Sequence, residues 1–117
     1  MHMSAFIYDE KENTKLIESS GAGNIKIWNF HSGNLIKIIC INKGWLYSIG
    51  LWAKNYIFVG CKNGEINLID INKGIIINSL ESHKEKVLTV KKIYHPKFGE
   101  CLVSQGLECI KLWINKK

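Results

Sequence analysis

The sequence repeats itself at a period slightly longer than 40 residues. Short alternating apolar runs end at Trp28, Ile69 and Trp113, and the spacings between these three residues are 41 and 44. Further short β-branched segments lie between the runs, and turn-forming Gly and Asn residues separate them. No stretch of about 10 or more residues carries the apolar stripe of a helix. We therefore expect an all-β protein made of three consecutive β-meanders.

The pattern predicts where each unit begins and ends. The first unit covers about 4–40, the second about 45–80 and the third about 86–114. The first two offer four strand segments each, whereas the third offers three and is followed only by residues 115–117. A four-stranded unit at a period of ~40–45 residues is typical of a propeller blade. We expect a partial β-propeller of about three antiparallel blades, the last lacking its outer strand.

Specific residues in each unit resemble those of the WD-repeat family of β-propellers. The matching runs are Gly23-Asn24-Ile25-Lys26-Ile27-Trp28-Asn29, Asn63-Gly64-Glu65-Ile66-Asn67-Leu68-Ile69-Asp70 and Cys109-Ile110-Lys111-Leu112-Trp113-Ile114. Ser82-His83, 30 residues before Trp113, stands where the family has a Gly-His pair. The resemblance covers essentially the whole chain.

This resemblance implies a structural hydrogen-bond network in each blade. In the family, a buried His, a strand Ser or Thr, the Trp and a turn Asp tie a blade together. The third unit offers His83, Ser104 and Trp113, although its turn at 105–108 has no Asp. The first unit offers Ser19 and Trp28, with His2 as a candidate for the histidine. In the second unit the network is expected to be lost, because the three places are taken by Asn42, Val59 and Ile69.

Three blades are too few to close a ring. Propellers have about 4–8 blades, so the first and third blades are each expected to show an apolar face to water. An exposed apolar patch as large as the face of a blade usually marks a site where a partner binds. We expect the chain to be the C-terminal part of a larger ring, or to associate with other chains that complete one.

The charge is basic but unusual in kind. All 16 basic residues are Lys, and with 10 acidic residues the net charge is +6. Without Arg, bidentate guanidinium contacts to guanine or phosphate are excluded, whereas Lys still gives salt-dependent attraction to polyanions. The lysines are densest at Lys84, Lys86, Lys91, Lys92 and Lys97. They indicate either a solvated surface or a basic surface for an acidic partner or nucleic acid.

The sequence predicts no catalytic or cofactor site. It contains no G-x-S-x-G, P-loop or G-x-G-x-x-G motif, and its acidic residues are scattered. Cys40, Cys61, Cys101 and Cys109 form no C-x-x-C pair. We interpret them as small buried thiols; a zinc site with His83 or His95 is the alternative.

Binding is expected at the loops that connect strands along one rim. The candidate partner-binding residues on those connections are Lys43, Trp45, Lys62, Lys84, Lys86 and Leu107. Trp52 is placed in a connection as well, either as an interface anchor or as a wedge between blades.

The sequence thus favours a non-catalytic, intracellular scaffold for a protein or peptide partner. The alternatives are a nucleic-acid-associated subunit with a Lys-rich surface and a degenerate propeller remnant without a partner of its own. No apolar run approaches the ~20 residues that span a membrane, and the first residues do not resemble a signal peptide.

Overall fold

The computed structural model of the chain describes residues 4–10, 13–19 and 23–114. These residues form eleven β-strands and no helix, which confirms the predicted all-β class. Consequently no helix in these ranges is long and apolar enough to cross a membrane.

The strands form three antiparallel sheets in which consecutive strands pair. Sheet one contains β1 (Ser4–Glu10), β2 (Asn13–Ser19), β3 (Asn24–Asn29) and β4 (Leu35–Cys40). Sheet two contains β5 (Leu46–Ala53), β6 (Tyr56–Cys61), β7 (Glu65–Asp70) and β8 (Ile75–Glu81). In the described chain, sheet three contains β9 (Thr89–His95), β10 (Gly99–Gln105) and β11 (Ile110–Ile114).

The largest differences from the predicted strand boundaries are at the end of β5 and the start of β9. β5 continues to Ala53, which pairs with Tyr56 across a tight turn at Asn55. Trp52 therefore lies in a strand and not in a connection. β9 begins at Thr89, three residues later than predicted, because the preceding residues bond elsewhere: the Val87 amide donates to the Cys61 carbonyl at 2.9 Å.

The turns that close β3–β4 and β7–β8 use the same chemistry. Asn29 Oδ1 accepts hydrogen bonds from the amides of His31 and Ser32, and Asp70 Oδ1 accepts them from Asn72 and Lys73. Such Asx side chains hold a turn by bonding backbone amides two and three residues further on. In both turns a glycine with positive φ follows four residues after the Asx residue, and its amide donates to the carbonyl of that residue.

The apolar core consists of two layers, one on each face of sheet two. The layer shared with sheet one contains Ile17, Ile25, Ile27, Ile39, Ile41, Leu46, Ile49, Ile57, Val59, Cys61, Ile69 and Ile71. The layer next to sheet three contains Phe58, Ile66, Val87, Val90 and Leu102, with Trp52 and Trp113 packed against it. Alternate residues of β6 enter opposite layers, as strand geometry requires. Sheet two is therefore covered on both faces, and Trp52 packs against the layer between sheets two and three.

The outer sheets each keep a face that nothing in the described chain covers. Leu102 and Trp113 pair across β10 and β11 and pack in the layer next to sheet two. Neighbouring residues of a strand point to opposite faces. Val103 and Leu112, which also pair with each other, therefore lie on the side of sheet three away from sheet two. Ile110 and Leu112 are 69 and 43 % exposed there, and Ile36 and Ile38 on sheet one are 50 and 46 % exposed.

The three sheets contact one another mainly through their first strands. β5 lies against β1 and β2 on one side and against β9 on the other. Away from these first strands, next to β11, an open apolar groove of about 240 Å³ separates sheets two and three. Trp52, Phe58, Leu68, Leu80 and Trp113 line much of it.

Candidate interaction rim and the networks behind it

Four connections meet at one end of the sheets and form what we call the connection rim: residues 41–45, 62–64, 82–88 and 106–109. Backbone hydrogen bonds join them in series. The Lys62 amide donates to the Trp45 carbonyl at 2.8 Å, and the Ser82 and His83 amides both donate to the Gly64 carbonyl. Gly64 has a φ of +90°, and a Cβ there would overlap the His83 carbonyl oxygen. Only glycine fits that approach.

An aromatic and lysine patch occupies the middle of the connection rim. Trp45 is 42 % exposed, and its ring centroid lies 6.5 Å from that of Tyr47. Lys62 Nζ lies 5.4 Å from the Trp45 ring centroid, and Lys86 Nζ lies 5.5 Å from that of Tyr47. Cations over aromatic faces at this distance are weakly attracted. We call these four residues the Trp45 patch.

The structure thus brings three predicted rim residues together and adds one. Trp45, Lys62 and Lys86 were predicted as candidates, whereas Tyr47 was not. Tyr47 follows Trp45 by two residues, so the period of a strand places both side chains on the same side; that spacing was the available signal. Lys84 and Leu107 are exposed on neighbouring connections of the same rim.

Lys43 is engaged within the molecule. Its Nζ lies 3.1 Å from Glu65 Oε1, and both side chains are half-buried. Partial burial opposes ionisation of Glu65, but the hydrogen bond and charge of Lys43, helped by Asn63 and Asn67, lower the pKa of that carboxyl below its ordinary value. The structure therefore gives Lys43 an intramolecular partner that the sequence prediction did not include.

In sheet three, His83, Ser104 and Trp113 lie together. His83 Nε2 is 3.0 Å from Ser104 Oγ, and Trp113 Nε1 donates to the same oxygen at 2.9 Å. The His83 side chain is fully buried. An indole N–H always donates, so Ser104 Oγ accepts from Trp113 and links the connection rim to the core of the sheet.

The other ring nitrogen of His83 faces two residues of the β10–β11 turn. His83 Nδ1 lies 3.7 Å from Glu108 Oε1 and 3.8 Å from Cys109 Sγ. Glu108 lies in the turn in which the sequence showed no Asp, and its longer side chain reaches the histidine. Cys109 is exposed, contrary to the expectation that all four thiols are buried, because it lies on the rim; Cys40, on an outer strand, is also exposed.

In sheet one, Trp28 uses a different partner from the one that the resemblance implied. Its Nε1 donates to Glu18 Oε1 at 2.9 Å. Strand register gives the reason. Ser104 pairs with the residue two positions before Trp113, which is Lys111. In sheet one the residue that pairs two positions before Trp28, at Lys26, is Glu18, so Glu18 is the equivalent of Ser104. Ser19 is buried and pairs with Ile25 one position further along. His2 lies outside the described residues.

Sheet two contains a polar network that the sequence did not predict. Asn67 is fully buried. It pairs with Val59, and Val59 is the residue of sheet two that is equivalent in register to Ser104 of sheet three. The Asn67 amide donates to Cys61 Sγ at 3.2 Å, and its carbonyl oxygen accepts from the Ser79 hydroxyl. Burial raises the pKa of the Cys61 thiol to about 11 despite the Asn67 hydrogen bond. This thiol therefore stays protonated and unreactive at neutral pH.

Comparison with known proteins gives structural neighbours only. No family model matches the chain, and no curated protein matches it. The structure of the computationally designed protein Ika8 is similar, with a TM-score of 0.68 and 16 % identity over 92 % of this chain and 32 % of that one. The computationally designed Ika4 protein is similar with a TM-score of 0.69 and 16 % identity over 94 % of this chain and 64 % of that one. At this identity the likeness concerns the fold alone, and the chain spans less than two thirds of either protein.

Proposed function

We propose that the chain is a non-catalytic scaffold of the WD-repeat type, in which each sheet is a propeller blade and the chain is part of a larger ring. One observation carries the proposal. Sheet two buries both faces against its neighbours, whereas among the described residues nothing covers an apolar face on each of sheets one and three. The two ends of such an array of sheets expose apolar faces to water unless further blades cover them.

The arrangement of the strands supports the blade interpretation. Each sheet is an up-and-down meander, and β1, β5 and β9 are the first strands of their sheets and lie next to one another. Blades around a central channel place their inner strands in this way. A further strand pairing with β11 would complete a third four-stranded blade and cover the groove beside Trp113.

The proposed occupants of the outer faces are further blades of the same kind, supplied by other copies of the chain or by a longer ring. Both designed neighbours are longer than this chain, which matches only part of each. The exposed isoleucines and leucines of the outer faces resemble, in kind, the residues that form the two inner layers.

Analytical ultracentrifugation of the 117-residue chain at micromolar concentration tests this proposal. We expect assemblies larger than a monomer, and we expect Leu112→Lys, on the open face of sheet three, to shift them towards the monomer. The matched control is Ile77→Lys, which changes an exposed isoleucine on the edge strand of sheet two. A cooperative, cleanly monomeric wild-type chain would contradict the proposal.

The scaffold is proposed to hold a protein or peptide partner on the connection rim. An exposed tryptophan in a rigid frame is a typical anchor residue, and the Trp45 patch contains one. Its lysines favour a partner with acidic groups.

A nucleic-acid-associated subunit is the second candidate, and the Trp45 patch favours it too. Aromatic faces combined with cations bind single strands by stacking and charge attraction. Fluorescence anisotropy with a labelled oligothymidine at about 50 and about 200 mM salt separates the two functions. Binding that falls by orders of magnitude over this range, and that Trp45→Ala weakens, favours the nucleic-acid function. The scaffold proposal expects no measurable oligothymidine binding at the higher salt.

A further inference from the structure

Three metal-binding atom types converge at the third-sheet end of the connection rim. His83 Nδ1, Glu108 Oε and Cys109 Sγ all lie within 4.8 Å of one another. The histidine is buried, whereas the carboxylate and the thiol face solvent. The three residues come from two connections that neighbour each other in space, so the cluster depends on the fold of the rim.

The separations between the atoms approach those of a zinc site. With zinc bonds of about 2.0–2.1 Å to nitrogen, 2.3 Å to sulfur and 2.0–2.2 Å to oxygen, neighbouring ligands of a tetrahedral ion lie about 3.4–3.6 Å apart. The observed distances from His83 Nδ1 are 3.7 Å to Glu108 and 3.8 Å to Cys109. Glu108 Oε and Cys109 Sγ lie within 4.8 Å of each other, so these two exposed side chains would have to rotate towards each other to bind one ion.

The opposite side of the histidine is arranged as metal-binding histidines require. Such a histidine donates its second ring N–H to an oxygen, which fixes the tautomer and aims the free lone pair at the ion. Ser104 Oγ lies 3.0 Å from His83 Nε2 and accepts from Trp113 as well. A hydroxyl oxygen has two lone pairs, so it can accept from both and leave Nδ1 unprotonated towards the turn.

Gly106 allows the turn to approach the ring. A Cβ at this position would lie 2.5 Å from His83 Nδ1, so any other residue would separate the turn from the histidine. The Gly106 amide donates to the Cys109 carbonyl at 3.0 Å. This bond closes the turn and holds Glu108 and Cys109 on the side of the ring.

We propose that His83, Glu108 and Cys109 form a binding site for a divalent zinc ion, with a fourth position open to water or to a group of a rim partner. Nitrogen, sulfur and carboxylate oxygen together suit zinc better than the hard cations Mg²⁺ and Ca²⁺. Binding transfers the Cys109 thiol proton to solvent, because the thiolate is the ligand.

Titration calorimetry with Zn²⁺ on the full chain tests the site. We expect one zinc ion per chain, and we expect Cys109→Ser and Glu108→Gln each to weaken binding at least about tenfold, since even outer ligand partners have effects of that size. Co²⁺ gives an independent readout: a thiolate-to-cobalt charge-transfer band should be present in wild type and absent in Cys109→Ser.

Matched controls separate this site from other thiols and carboxylates. Cys40→Ser removes another exposed cysteine and Glu81→Gln another exposed carboxylate, and both should bind zinc like wild type. Circular dichroism checks that each variant is folded. The proposal is overturned if wild type binds no zinc, if Cys109→Ser keeps wild-type affinity and the cobalt band, or if Cys40→Ser causes the same loss.

Discussion

At the scale of single residues, the rim depends on a glycine whose surroundings leave no space for a side chain. Gly64 and Gly33 share a left-handed backbone, with φ of +90° and +76°. They differ in contact: a Cβ at Gly33 would meet nothing within 4 Å, whereas a Cβ at Gly64 would meet the His83 and Glu85 carbonyl oxygens.

Alanine at these two positions should therefore have unequal effects. Gly33→Ala is expected to lower the free energy of unfolding by about 1 kcal/mol, the ordinary cost of an L-residue in this conformation. Gly64→Ala adds a backbone clash, so we expect a loss at least twice as large, or failure to fold. Urea denaturation measures both. Equal losses would show that the contact between the second and third sheets does not depend on Gly64.

The Lys43–Glu65 pair predicts a pH dependence at the residue scale. Because the folded state lowers the pKa of Glu65, its stabilisation is present above the ordinary value of 4.5 and is lost as pH falls through the lowered value. We expect Lys43→Met to lower the free energy of unfolding at pH 7 and to lose this difference from wild type in acid. Lys84→Met, which removes an exposed lysine of the same rim, is the control. A Lys43→Met difference that does not change with pH would contradict the assignment.

At the scale of elements, the β3–β4 and β7–β8 turns repeat one design in the first two sheets. Asn29 and Asp70 each satisfy two backbone amides. The residue between the repeated Trp28 or Ile69 and the turn therefore has a local structural role, which explains why both units have an Asx residue there.

Removing either Asx side chain should cost similar stability. We expect Asn29→Ala and Asp70→Ala each to lower the free energy of unfolding by about 1 kcal/mol, because the freed amides are partly compensated by water. Asn72→Ala, in the same turn as Asp70, should change it by no more than about 0.5 kcal/mol. Thermal or urea unfolding of the four proteins gives the comparison. A cost for Asn72→Ala as large as that for Asp70→Ala would argue against the Asx bonds.

At the scale of the whole molecule, sheet two is the best-protected part of the described chain. β6 is central in its sheet, and five of its six residues are buried. Among the strands that the structure describes, none pairs with the outer edge of β11, which has one covered face and four exposed residues out of five. Local opening free energies follow such differences in burial and backbone pairing.

Hydrogen exchange should reveal this gradient. We expect the amides of β6 to exchange slowest, at rates set by global unfolding, and those of β11 to exchange faster in the isolated chain. If other copies cover sheet three, exchange in β11 should slow as protein concentration rises, whereas exchange in the β3–β4 turn should not. Exchange in β11 that is as slow as in β6 at every concentration would contradict this view of the uncovered sheet.

Much of the fold follows from local pattern. The 41- and 44-residue spacings, the alternating isoleucines and the turn residues predicted all three meanders and most strand positions. The errors arose where pairing across strands overrides local sequence. β5 extends to Ala53 because Ala53 pairs with Tyr56. β9 starts late because the Val87 amide bonds the Cys61 carbonyl instead.

The sites were harder to predict because they depend on register and on contacts between distant connections. The sequence assigned Ser19 to the network of Trp28, but Glu18, one position earlier, makes the contact. Neighbouring strand residues point to opposite faces, so an error of one position selects the wrong side chain. No sequence motif predicts the Asn67 network, and none predicts that Glu108 and Cys109 lie close to His83.

The amino-acid sequence alone determined the class of the fold, the repeat and the turns, because each depends on the alternation and backbone preferences of neighbouring residues. The tertiary structure decided which faces stay open and which side chains meet on the rim. Those contacts join residues such as His83 and Cys109, 26 positions apart. Their distance is set by how whole sheets pack, which no local preference specifies.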